Sequence, residues 1–237
     1  MKVLVLGGMH GNEPLGLALV QLLQEEPIQN VETVYGNLEA ITANARFTTV
    51  DLNRCFPGDA SATEYEQRRA AELIALSRPF DVVLDFHNTH CPDNDCSFIG
   101  EESDPILQQV SYLLGLPRII VASYDCLNKY APNCLSVEVS LSSPENDAKS
   151  WYEKIQALAQ MEPAQLPDAG TVTKYHFAYR MTLEDRDAYD LPSRDLKAFE
   201  PLPEDLVQAF GLSGPAYPIF INDAYTPYNY GGVLVRA

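Results

Sequence analysis

Apolar positions recur along the first two thirds of the chain with two different spacings, and each spacing predicts a different element. Short apolar runs at 2–6, 32–36, 38–42, 81–86, 118–122 and 135–140 read as buried strands. Between them, Pro14–Gln24, Glu64–Leu76, Ile106–Leu114 and Ala148–Gln160 carry apolar residues at helical intervals, with Pro14 suited to a first helical position. Strands alternating with helices predict an α/β fold in which a central sheet is flanked by helices on both faces. The segment 161–170 breaks the helical spacing with Pro163, Pro167 and Gly170. After it, 171–183 alternates polar and apolar residues and 216–221 is a short apolar run, so residues 163–237 are expected to form a small C-terminal β-rich region beside a larger domain at 1–162.

Composition narrows the class. A chain of 237 residues, 46% of them apolar, is long enough to bury a sizeable core. No apolar run reaches the ~18 residues of a membrane span, and His10 and Glu13 interrupt the first run, which predicts a cytoplasmic protein with no membrane partner. Cys55, Cys91, Cys96, Cys126 and Cys134 form an odd, irregularly spaced set, better read as reduced thiols than as a disulfide framework. A net charge of -17 argues against nucleic acid. It also means that an anionic substrate would need a local cluster of cations.

Chemistry concentrates at strand ends. His10 and Glu13 follow the first strand, at its carboxyl end, outside which open α/β folds bind ligands. A catalytic zinc takes three protein ligands and keeps one position open, and His87, at the end of the 81–86 run, supplies the third. His90 and His176 are better read as ordinary histidines. His90, Cys91 and Cys96 offer a rival thiolate site, but there is no second pair at zinc-finger spacing. Glu138 lies between Val137 and Val139, where desolvation would raise its pKa toward that of a general base. The alternative is an edge strand, with Ser136, Glu138 and Ser140 on one wet face. Arg46 and Arg54, with Asp51 and Asn53 between them, form a cationic cluster fit to hold a carboxylate or an oxyanion, unless they are surface arginines paired with local acids.

Gly8-Met9-His10-Gly11-Asn12-Glu13, Asp51-Leu52-Asn53-Arg54-Cys55-Phe56, Asp85-Phe86-His87-Asn88-Thr89 and Val137-Glu138-Val139 occur in this order, and together they resemble the aspartoacylase and succinylglutamate desuccinylase family of zinc hydrolases. The resemblance covers roughly the first 140 residues and is closer to the aspartoacylases, through Asn44-Ala45-Arg46 and Phe86-His87-Asn88-Thr89; beyond them it is weak and centres on 217–225. It implies a mixed central sheet of the zinc-carboxypeptidase type. It also implies one zinc ion on His10, Glu13 and His87, Glu138 as general base and acid, and Arg46 polarising the acyl carbonyl. Asn53 and Arg54 would hold the amino-acid carboxylate, with Asn88, Tyr130 and Tyr225 as further candidates to contact the substrate.

The activity so implied is hydrolysis of a small anionic N-acyl amino acid such as N-acetylaspartate. A carboxypeptidase or desuccinylase acting on another small amide is the alternative, and a non-catalytic metal-binding relative a further one. Whether the chain forms a homo-oligomer is left open. One departure bears on the substrate: the family's arginine before the catalytic glutamate is missing from Lys129-Tyr130-Ala131-Pro132-Asn133-Cys134-Leu135.

Overall fold

Every residue of Val3–Gly7 (β1) is buried, and its alternating side chains feed two separate cores. Val3 and Val5 pack with Leu19, Phe86, Val137 and Trp151, whereas Leu4 and Leu6 pack with Leu52, Phe56, Leu73 and Val83. A strand covered on both faces has to be apolar throughout, which is why the first run of the sequence is so readable. The computed structural model describes residues 1–101, 103–225 and 228–237. In it, β1 leads through Pro14–Glu25 (α1) to Val31–Tyr35 (β2), and Leu38–Ala43 (α2) and Tyr65–Ser77 (α3) lead to Val82–Thr89 (β3). Cys96–Gly100 (β4), Ile106–Leu113 (α4), Arg118–Ala122 (β5), Leu127–Tyr130 (α5), Cys134–Ser140 (β6) and Ala148–Ala159 (α6) follow.

The expected strand at 38–42 is instead the helix α2. Asn37 accepts a hydrogen bond from the Ala40 amide at 2.9 Å, and Asn44 ends the helix in a left-handed conformation, so caps outweigh a five-residue apolar run. Leu38 is half exposed, not buried as a core strand would require.

The remaining elements are Thr173–Met181 (β7), Leu183–Ala188 (α7), Glu204–Ala209 (α8), Ala216–Ile219 (β8) and Gly231–Arg236 (β9). All nine described strands form one mixed sheet in the order β2-β1-β3-β6-β4-β5-β7-β9-β8. The strands after residue 163 therefore extend the first sheet, β7 pairing in parallel with β5. From β1 the chain first moves outward to β2 and later returns to β3 on the other side. The carboxyl ends of β1 and β3 thus flank a topological switch point, where a crevice opens. No described helix is long and apolar enough to cross a membrane.

Candidate active site

Two glycines set the His10 segment in place. A Cβ on Gly7 would lie 2.1 Å from the Gly16 carbonyl oxygen, so α1 rests directly on the end of β1. Gly8, at φ +75°, then turns the chain out of the sheet. Glu13 precedes Pro14 at the start of α1 without capping the helix, which leaves its carboxylate free to face the histidines. Asn88 ties this segment to β3: its Oδ1 accepts from the Leu15 amide at 2.9 Å, and its Nδ2 donates to the Val139 carbonyl at 3.0 Å.

His10 Nδ1 lies 2.7 Å from Glu13 Oε1, and His87 Nδ1 lies 3.0 Å from Glu13 Oε2. One donor atom from each of the three side chains lies within 4.8 Å of the others, and all three are buried. The opposite ring nitrogens rest on two more carboxylates: His10 Nε2 is 3.0 Å from Asp51 Oδ1 and His87 Nε2 is 2.9 Å from Asp85 Oδ2. A carboxylate behind each imidazole fixes ring orientation and raises ligand basicity, so this donor set fits a divalent metal. Burial alone would raise the Glu13 carboxyl, but His10 and His87 hold it well below the usual carboxylate range. Burial opposes the charge on His87, but Asp85 and Glu13 outweigh it and raise the imidazole.

The register of β3 against β6 places Glu138 directly beside His87. Burial pushes Glu138 up to about 8; His87 and Arg46 pull it down, while Glu13 and Asp223 reinforce the rise. The edge-strand alternative fails, because β6 is paired on both sides, by β3 and β4, and the face carrying Ser136 and Glu138 lines a cavity of about 400 Å³. Arg46 reaches Glu13 Oε1 at 3.3 Å and Asp51 Oδ2 at 3.4 Å, and its buried Nε has no partner among the described residues. Arg54 donates to the Asn53 carbonyl at 2.6 Å and lies 4.5 Å above the Tyr124 ring, while Asn53 Oδ1 is buried and unpartnered. Tyr225 lines the cavity and donates to the Asn12 carbonyl at 3.1 Å.

Tyr130 is a correction. Asn128 and Leu127 occupy the buried side of α5, leaving Tyr130 to donate to Asp125 at 2.8 Å outside the cavity, beside Lys129 and its ion pair with the same acid. Asn128 takes the place at the cavity wall instead. The His90, Cys91 and Cys96 cluster does not assemble. Among the described residues only His10, Glu13 and His87 group as metal ligands, His90 packs against Tyr225 with ring centroids 4.3 Å apart and planes tilted by 54°, and burial pushes the Cys91 thiol up to about 12. All five cysteines are free.

Three sets of residues at the site were not singled out from the sequence. Asp85 sits two places before His87 on the same strand face, a spacing that could have flagged it. Asp223, which accepts from Thr89 Oγ1 at 2.6 Å, and the aromatic residues Phe98, Phe177 and Phe220 arrive from distant segments with no local motif.

Residues 1–140 match the model of the succinylglutamate desuccinylase/aspartoacylase catalytic domain. A probable aspartoacylase of Parasynechococcus marenigrum is 37% identical over 132 residues, covering 48% of this chain and 44% of that protein. An N-acyl-aromatic-L-amino acid amidohydrolase (carboxylate-forming) B of Danio rerio is 37% identical over 108 residues, covering 37% of this chain and 34% of that protein. The chain thus spans under half the length of these relatives. Over nearly the whole fold it resembles a succinylglutamate desuccinylase from Chromobacterium violaceum, with a TM-score of 0.73 at 19% identity, covering 99% of this chain and 84% of that one. With the family model matching more than half of its residues, this chain belongs to the succinylglutamate desuccinylase/aspartoacylase family.

Proposed function

We propose that the protein is a zinc-dependent amidohydrolase that removes the acyl group from an N-acyl amino acid, releasing a carboxylate and a free amino acid. The observation that carries this reading is the joint placement of three buried ligands, a carboxylate behind each imidazole, and Glu138 beside His87. His10, Glu13 and His87 would hold the zinc, which supplies a Lewis acid for the acyl carbonyl and a bound water acidified to a pKa of about 7. Glu138 takes the proton from the attacking water and returns it to the departing amine nitrogen. Its setting suits both steps, since a raised pKa makes the carboxylate a stronger base and the carboxyl a ready acid near neutrality.

Arg46, whose side chain lines the cavity, meets the negative charge that develops on the carbonyl oxygen. Asn53 and Arg54 hold the amino-acid carboxylate, against a chain whose net charge of -17 would otherwise oppose an anion. Asn88 spends its hydrogen bonds on α1 and β6, so it positions the ligand segments rather than the substrate. Tyr225 closes one side of the cavity.

Glu138→Ala tests this assignment. Loss of a general base lowers turnover by roughly 10²–10⁴-fold, and elemental analysis should show zinc still bound because Glu138 is not among the ligands. Turnover within a few-fold of the wild type would remove Glu138 from this role.

A further inference from the structure

Besides the ligand cluster, the cavity carries a wall of stacked rings. Phe98 on β4, Phe177 on β7 and Phe220 just after β8 all line it. The Phe98 and Phe177 centroids lie 6.3 Å apart at 23°, and those of Phe98 and Phe220 lie 6.1 Å apart at 10°.

Three features show that this wall is built. Phe220 has a φ of +52°, a left-handed conformation that bulky side chains rarely adopt and that surrounding structure has to enforce. The enforcing residue is Asn94, itself 2% exposed, whose Oδ1 accepts from the Phe220 amide at 2.8 Å and whose Nδ2 donates to the Pro92 carbonyl at 2.7 Å. Phe177 is accommodated by Gly232, where a Cβ would come within 2.8 Å of the ring. An irregularity in the β7–β9 register between Phe177 and Tyr179 lets successive residues of β7 reach the cavity.

The cations give no matching provision for a second substrate carboxylate. Arg46 is engaged by Glu13 and Asp51, and Arg54 by the Asn53 carbonyl and the Tyr124 ring. Arg180, the remaining cavity arginine, makes no ion pair among the described residues but is exposed, where water screens its attraction. Asp223, also at the cavity wall, would repel a second negative charge. An apolar group gains from the ring wall without meeting any of these costs.

Building on the amidohydrolase reading, we infer that the substrate presents a bulky apolar or aromatic group to Phe98, Phe177 and Phe220, which act as specificity determinants, and carries no second carboxylate. That group could be the amino-acid side chain or the acyl moiety.

The test measures kcat/KM of the zinc-loaded full chain for N-acetylphenylalanine, N-benzoylalanine, N-acetylalanine and N-acetylaspartate. The expected result is a preference of about tenfold or more for one of the first two over N-acetylaspartate, and the arm that wins identifies which end of the substrate meets the wall. Phe220→Gly removes a ring at a position where glycine is unstrained, and Phe177→Leu is a second, milder variant. Each should shrink that preference, by about tenfold for Phe220→Gly, the scale of one buried aromatic contact. Preference for N-acetylaspartate, or an unchanged ratio in both variants, overturns the inference. Calorimetric binding to Glu138→Gln separates this from the hydrolase reading. Absence of turnover by the wild type on every substrate counts against that reading. Weaker binding of both aromatic ligands than of N-acetylaspartate counts against the wall, and tighter binding of either supports it.

Discussion

Asp85→Asn isolates the carboxylate behind His87 with little change in shape. Asp85 is fully buried; its Oδ2 accepts from His87 Nε2 at 2.9 Å and from Ser136 Oγ at 3.2 Å, and its Oδ1 has no partner among the described residues. Asparagine keeps a carbonyl acceptor for His87 Nε2, so the ring can hold its orientation, but the negative charge that raises the basicity of the ligand is gone. Removing such support typically weakens metal binding by 10–100-fold, about 1.4–2.7 kcal/mol at 1.4 kcal/mol per decade. Competition for zinc against a chromophoric chelator at fixed pH measures it, with circular dichroism confirming that the fold survives. The expected outcome is a zinc Kd raised by about 10–100-fold, with kcat at saturating zinc changed far less. A Kd within threefold of the wild type would refute the argument that Asp85 acts through His87.

Two further outcomes follow from the same geometry. Glu138 works as a base only when ionised, and its pKa is raised to about 8 mainly by burial, so activity should fall as pH drops through a limb lying above the ordinary glutamate value of about 4.3. A cation on the neighbouring ligands draws that limb back down from 8, and a limb at or below about 4.3 in the kcat/KM profile would contradict the desolvated setting. Gly7→Ala drives a methyl group into the Gly16 carbonyl, which is backbone and cannot swing aside; overpacking of this kind costs roughly 1–3 kcal/mol or more. The Tm should fall by roughly 2–4 °C per kcal/mol, together with zinc affinity, because His10 and Glu13 follow from the displaced turn. An unchanged Tm would show that α1 does not rest on β1 as described.

The parts of this site legible from the sequence are those written in a single strand. β1, β3 and β6 are buried on both faces, so their apolar runs and the polar residues at their ends stand out, and His10, His87 and Glu138 could be placed before any coordinates. Residues 38–42 misled because a five-residue run carries no reliable period, and the caps at Asn37 and Asn44 decided the outcome. Tyr130 misled for a different reason. It rested on the resemblance alone, which says nothing about which side of a one-turn helix it occupies, and Asn128 holds the inner side through bonds to the carbonyls of Phe98 and Cys134. The aromatic wall was illegible because Phe98, Phe177 and Phe220 meet only through sheet order, β4 lying next to β5, β5 next to β7, and β8 joined through β9. Asp51 and Asp85 were visible as residues, but their role depends on which ring nitrogen faces the cluster, and only the folded geometry supplies that.

The central claim is that zinc held by His10, Glu13 and His87 makes this fold an amidohydrolase. Release of free amino acid from N-acyl amino acids should be followed in three states of the same preparation: zinc-loaded, stripped by a chelator, and reloaded. The account predicts release in the first state, loss of it in the second and recovery in the third, with one zinc per chain; release that persists in the fully stripped protein would contradict it.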